Sequence, residues 1–119
     1  MDIFCKIING EIPSRKLYED ELVMVIMDVN PSSCGHSLVI PKTHYQDLFD
    51  IDSEVLNHIM KVAKDIALKL EEKLDCEGIT LIENNGISQD VKHFHLHLVP
   101  KYSKSIKMDI DEVFHKIVD

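Results

Sequence analysis

Residues 93–99 read His93-Phe94-His95-Leu96-His97-Leu98-Val99, three histidines alternating with large apolar residues. Side chains of an extended chain point alternately to opposite faces, so Phe94, Leu96 and Leu98 fall on one side and the three imidazoles on the other. An imidazole changes charge near neutral pH and serves as nucleophile, proton carrier or metal ligand. Three readings compete for the row. The polar face of an edge strand accounts for one histidine but poorly for three in strict alternation. A metal site needs two histidines at i and i+2 and a third ligand from elsewhere. His93 and His97 would stand about 13 Å apart at about 3.3 Å per residue, too far for one ion to hold all three. Nucleophilic catalysis needs one unprotonated ring nitrogen facing the substrate, the other nitrogen held as a donor, and a neighbour to stabilise developing charge. His95 flanked by His93 and His97 offers those parts. On spacing alone the nucleophilic reading leads, with the metal reading still open.

The rest of the chain must supply the scaffold. Residues 4–9 read as a helical turn closed by Gly10. Residues 16–19 and 22–27 read as strands around an acidic turn, and 36–40 as a third strand stopped at Pro41. Val55, Leu56, Ile59, Val62, Ala63, Ile66, Ala67 and Leu70 recur at spacings of three and four, which predicts a helix over 53–73. Asp52 or Ser53 can cap its start, and Gly78 lies just past its end. Residues 79–82 predict a fourth strand, Asn84-Asn85-Gly86 a turn, and 92–99 a fifth strand ended by Pro100; residues 109–118 predict a short amphipathic helix. Five strands, one long helix and hairpin-type connections imply a single α+β domain over 1–119 with an antiparallel sheet.

Composition narrows the function classes. The 119 residues carry a net charge of −8. A phosphate backbone calls for a basic surface, so general nucleic-acid binding is not expected; the acidic excess reads as solubility. No run approaches the ~20 apolar residues of a membrane span. Three widely spaced cysteines, Cys5, Cys34 and Cys76, do not suit a disulfide framework, and the start of the chain does not read as a secretory signal. A reducing cytoplasm is the expected location.

The chain resembles the histidine triad family. Residues 93–99 match its signature His-φ-His-φ-His-φ-φ, with φ apolar. Gln89-Asp90-Val91-Lys92 leads into it as the family's Gln-x-Val-x does. Gly35-His36-Ser37-Leu38-Val39-Ile40-Pro41-Lys42 resembles the family's Gly-His-x-Leu-Val-x-Pro-Lys strand, and Phe4-Cys5-Lys6-Ile7-Ile8 with Glu11-Ile12-Pro13 its amino-terminal segment. The likeness spans about residues 3–102. It implies a HIT-like fold whose sheets continue across a homodimer. It implies that His95 attacks the α-phosphorus of a nucleotide to form a nucleotidyl-imidazole, which water then hydrolyses to the monophosphate. By the same resemblance His97 contacts α-phosphate oxygens and helps the leaving group, His93 helps hold the triad, and His36 is a supporting fourth histidine. Asp28 and Asn84 match ribose and phosphate contacts, Phe4, Ile7, Ile12 and Val29 wall the base, and Gln89, Asp90 and Val91 lie against the phosphates. Gln89 would do so through its side chain and Val91 through its backbone N–H.

Three departures from the family pattern matter. The loop Gly86-Ile87-Ser88-Gln89 is about two residues short, which implies a tighter turn with fewer amides around phosphate. Position 90 is often a hydroxyl residue; an ionised Asp90 accepts only, so its carboxylate is expected to turn outward, leaving its backbone N–H for the ligand. Bacterial relatives carry Cys-x-x-Cys at the amino terminus, which makes a structural zinc site with histidines matching His44 and His93. Here Asp2 replaces the first cysteine, while Cys5, His44 and His93 remain. A weakened or absent zinc site is the first expectation, and no cofactor is needed for catalysis. The activity implied is hydrolysis of purine nucleoside phosphoramidates. Dinucleoside polyphosphate hydrolysis is the alternative enzyme, and a nucleotide-binding sensor or partner-docking protein the alternative of another class.

Overall fold

The computed structural model describes residues 2–119. In order, the elements are helix α1 (Ile3–Ile8), strands β1 (Lys16–Glu19), β2 (Val23–Met27) and β3 (Ser37–Pro41), helix α2 (Ser53–Leu74), strand β4 (Gly78–Ile82), a 3-10 turn (Gly86–Ser88), strand β5 (Leu96–Lys101) and helix α3 (Ile110–Val118). Among the described residues, five strands form one sheet in the order β1-β2-β3-β5-β4, with antiparallel pairing throughout.

Both faces of the sheet are covered. Val23, Val25, Met27, Val39, Leu96 and Leu98 pack against Ile59, Val62, Ile66 and Leu70 of α2 and Val113 and Ile117 of α3. On the opposite face Met24, Ile26, Leu38 and Ile40 pack with Phe4 of α1. Every residue of β2 is therefore buried, as expected of a strand with two covered faces. Helix α2 begins as expected, with the Asp52 carboxylate accepting from the Glu54 and Val55 N–H groups. It ends differently: Asp75, not Gly78, takes the left-handed conformation at φ 56°, and its N–H bonds Glu71 O.

The largest departure from expectation is β5. It begins at Leu96, not Lys92, and runs through Pro100 to Lys101. The register Leu38↔His97 and Val39↔Leu96, if continued, would set Pro41 opposite Phe94. Proline has no N–H to give to a ladder. The Phe94 N–H turns instead to Tyr45 O at 2.7 Å. At the other end, pairing with β3 stops at Ser37↔Leu98, so Pro100 needs no donor on that side and β5 continues beside β4. The alternation of faces survives without ladder bonds. Phe94 is only 1% exposed in the helix-side core, while Phe4 on the other face packs edge-on against His93 and His95. Burying Phe94 contributes about 2–3 kcal/mol, enough to hold the segment in this orientation.

Helix α3 lies beyond the region of family likeness, yet it is part of the core. Val113 and Ile117 are buried, Asp109 caps its start, and Arg15 Nε donates to Asp111 at 2.7 Å, tying the helix beside β1. Among the described residues, no helix is long and apolar enough to cross a membrane.

Candidate active site

His97 stands on a central strand, paired with Leu38 on one side and Ile82 on the other. His95 and His93 precede it on the Phe94-anchored segment, and His36 lies just before β3. Rings of neighbouring histidines sit 4.9 Å apart for His95 and His97 and 5.2 Å for His36 and His97.

Their hydrogen-bond partners assign each ring its tautomer. The Ser32 N–H donates to His36 Nδ1 at 3.0 Å, so neutral His36 carries its proton on Nε2. That Nε2 lies 2.9 Å from His97 Nδ1, which must then accept. Neutral His97 is left with an N–H on Nε2. His95 Nδ1 lies 2.8 Å from the carbonyl oxygen of His93 and must donate, which leaves Nε2 unprotonated. His93 Nε2 donates to Pro41 O at 2.9 Å, which leaves its Nδ1 free to accept. Burial pushes His36, His93 and His97 below the ordinary histidine value; His97 is pushed further by the neighbouring His95 and His36.

A cavity of about 330 Å³ opens beside His95 and His97. That is large enough for a small ligand. Its walls include Phe4, Ile7 and Ile12, with Ile26 and Leu38 from the sheet, and Asp28, Val29, Asp90 and Val91 also line it. The structure thus brings together the expected base-wall residues, Asp28, two triad histidines and two of the three expected phosphate-side residues. Ile26 and Leu38 were not expected; the alternation that buries Val25 and Val39 on the helix side is the signal that turns them here. Asn84 and Gln89 are not among the lining residues. Gln89 is 3% exposed, its amide donates to Gln46 O, and its side-chain oxygen is buried without a partner. Asp28 Oδ1 accepts from the Asn30 N–H at 2.9 Å, and Oδ2 is 3.5 Å from His36 Nε2.

Asp90 corrects an expectation. Its side chain is 81% exposed, yet the carboxylate is not turned away: Oδ1 lies 3.5 Å from His95 Nε2. The cause is local, since the Val91 N–H donates to the same oxygen at 2.8 Å. The short loop is tight as expected. Gly86 adopts φ 74°, the Gln89 N–H bonds Gly86 O, and Lys92 Nζ reaches both Gly86 O and Gln89 O.

A second cluster lies behind His93. Asp2 Oδ2 is 3.3 Å from His93 Nδ1, 3.2 Å from His44 Nε2 and 3.5 Å from Cys5 Sγ; Cys5 Sγ is also 3.5 Å from His93 Nδ1. Tetrahedral zinc with bonds of about 2.0–2.3 Å separates its ligand atoms by about 3.3–3.7 Å. Asp2, His44 and His93 place their donor atoms within 4.8 Å of one another, while Cys5 stands near Asp2 and His93 but outside that group. His93 also presents the required free Nδ1, its other nitrogen held by Pro41 O in the manner of an outer-shell partner. Burial pushes Asp2 upward, but the Cys5 N–H and His93 leave its carboxyl below the ordinary value. Burial and Asp2 push the Cys5 thiol up. His44 Nε2 donates to Lys92 O at 2.8 Å and would have to release that bond to ligate a metal. Asp2, His44 and His93 fit a metal ion, with Asp2 in the place of the missing thiolate, and Cys5 would have to move toward His44 to complete a tetrahedron.

Fold and site together define a class: a small α+β protein that presents ordered, neutral imidazoles at the mouth of a largely apolar cleft. The chain belongs to the HIT domain family, whose model matches residues 9–104. It is 41% identical over 129 residues to an uncharacterised HIT-like protein of Methanocaldococcus jannaschii, covering 98% of both chains. It is 45% identical to an adenosine 5′-monophosphoramidase of Saccharomyces cerevisiae, over 83% of this chain and 61% of that one. Among solved structures it resembles a zinc-bound histidine triad family protein from Mycobacterium smegmatis, with TM-score 0.90 and 35% identity over 98% of this chain and 89% of that one.

Proposed function

We propose that the protein is a nucleotidyl-transferring hydrolase that cleaves purine nucleoside phosphoramidates through His95. The observation that carries this reading is the pair of complementary tautomers facing one cleft. His95 offers a lone pair on Nε2, and His97 offers an N–H on Nε2. The monophosphoramidase relative in yeast supports the substrate class.

In the first step the Nε2 lone pair of His95 forms a bond to the α-phosphorus. The P–N bond breaks, its electron pair goes to the amine nitrogen, and that nitrogen takes a proton from solvent as it leaves. His97 holds the phosphoryl oxygens through its Nε2–H, kept in that tautomer by the N–H of His36 behind it. As the P–Nε2 bond forms, the His95 ring gains positive charge, which the His93 carbonyl oxygen stabilises through the Nδ1–H. In the second step water attacks phosphorus, the P–Nε2 bond breaks with its pair returning to nitrogen, and the monophosphate is released. Asp28 binds the ribose hydroxyls. Phe4, Ile7, Ile12 and Val29 enclose the base. The Val91 N–H holds a phosphate oxygen, and Gln89, bonded to Gln46 O, braces the loop that carries it. A zinc ion held by Asp2, Cys5, His44 and His93 would brace α1 against the triad segment and take no part in these steps.

The protein works as a cytoplasmic homodimer in this reading. Edge strand β4 supports it, because Leu81 and Ile82 stand 43% and 40% exposed on a strand with one open side. The deciding experiment separates products after incubation with adenosine phosphoramidate or diadenosine tetraphosphate. The expected result is rapid turnover of the phosphoramidate, with His95→Ala binding the monophosphate but turning nothing over. Undiminished steady-state hydrolysis by His95→Ala refutes the mechanism.

A further inference from the structure

Asp90 lies where an anionic substrate has to go. One carboxylate oxygen accepts from the Val91 N–H at 2.8 Å and stands 3.5 Å from His95 Nε2. It therefore occupies both the backbone donor and the space in front of the ring nitrogen that a phosphoryl group would use. A carboxylate oxygen and a phosphate oxygen accept from the same donors with similar geometry, so the two compete for one position. Among the described residues no lysine or arginine pairs with Asp90: the ring nitrogen it faces is the unprotonated Nε2 of His95, and the nearby Lys92 ammonium is turned to Gly86 O and Gln89 O at 2.8 and 3.0 Å.

We propose that Asp90 is a specificity-determining residue: its carboxylate competes with the transferred phosphoryl group for the anion position and selects against substrates whose leaving group is itself an anion. The inference deepens the nucleotidyl-transfer reading and rests on it. At 81% exposure the side chain rotates aside readily when substrate enters. Its backbone cannot follow, because Gln89 before it is buried and Val91 after it packs against the Phe4, Ile26 and Leu38 cluster. The displaced carboxylate thus stays at the mouth, through which the leaving group departs. A like charge at about 6 Å in an effective dielectric of about 40 costs about tenfold in binding. A leaving amine takes a proton and departs neutral or as a cation, so it escapes this penalty. Sulfate or a nucleoside polyphosphate departs as an anion and bears it.

The test uses the full chain with Asp90→Asn, which keeps the shape, and Asp90→Ala, which removes the side chain. Calorimetric titration compares adenosine monophosphate with uncharged adenosine. Both variants are expected to bind the monophosphate about tenfold more tightly than wild type, with adenosine affinity unchanged. Steady-state assays compare adenosine phosphoramidate with adenosine phosphosulfate and diadenosine tetraphosphate. The ratio of kcat/KM for the anionic leaving groups over the amine is expected to rise about tenfold in both variants. Wild-type hydrolysis of the phosphoramidate with no change in monophosphate affinity or in that ratio overturns the role of Asp90 and leaves the transfer reading intact. Wild-type protein that turns over none of the three substrates overturns the transfer reading, and the leaving-group selection with it.

Discussion

His36 touches no expected substrate atom, yet the hydrogen-bond chain from Ser32 through His36 to His97 makes it decisive for the proton on His97. Consider His36→Phe. Phenylalanine keeps a flat ring in a site that is 5% exposed but is somewhat larger than histidine, so the neighbours must give slightly, which His36→Gln avoids. Two bonds disappear: Ser32 N–H to Nδ1 at 3.0 Å and Nε2–H to His97 Nδ1 at 2.9 Å. A half-buried ring nitrogen left without its donor costs about 1–3 kcal/mol. If that cost falls on the transition state, kcat/KM drops about 5- to 150-fold. His36→Gln is the control, because its amide N–H can again donate to His97 Nδ1 and should recover most of the loss. The assay is steady-state phosphoramidate hydrolysis on both variants, with urea denaturation to confirm that each is folded. A His36→Phe enzyme within twofold of wild-type kcat/KM refutes the tautomer argument. So does a folded His36→Gln variant no better than His36→Phe.

Acid should destabilise the protein through the same groups. Burial holds His36 and His97 below their ordinary value of 6.5, so below that pH the unfolded chain binds more protons than the native one. Their contribution is complete above about pH 6.5 and is lost as pH falls toward the lowered values, which urea midpoints measured from pH 8 to pH 5 will register. Gly35→Ala should lose about 1–3 kcal/mol of stability. Gly35 has φ 92°, and an added Cβ would meet Leu74 Cδ1 at 2.4 Å and Pro100 Cγ at 3.2 Å; an unchanged urea midpoint counts against this. Protein purified without chelator should carry close to one zinc per chain, reduced in Cys5→Ser. Chelation should lower the melting temperature, and less than a tenth of an equivalent of metal by elemental analysis ends the zinc reading.

Much of the scaffold is legible in short-range pattern. The three-and-four spacing from Val55 to Leu70 specifies α2, and Asp52 specifies where it starts. The strict alternation from His93 to Leu98 places imidazoles and apolar residues on opposite faces even where the segment is not a strand, because Phe94 is anchored in the core. The composition of the cleft wall from Phe4 to Val29 is carried by family likeness; taken singly those residues look like ordinary core. What the sequence alone determines is therefore periodicity, capping, and the type and order of the chemical groups. Tertiary structure decides which atoms those groups face. Pro41 ends the ladder, and its carbonyl sets the tautomer of His93 from 52 residues away. His36 sets the proton on His97 across 61 residues, and the amphipathic pattern of α3 marks a buried face without saying that the face closes on β1 and α2. Asp90 looks toward His95 because the adjacent Val91 N–H captures its oxygen, where charge repulsion alone predicts that it looks outward. Periodicity is a local property of the chain, whereas donor and acceptor pairing depends on strand register and loop path, which exist only once distant segments have met.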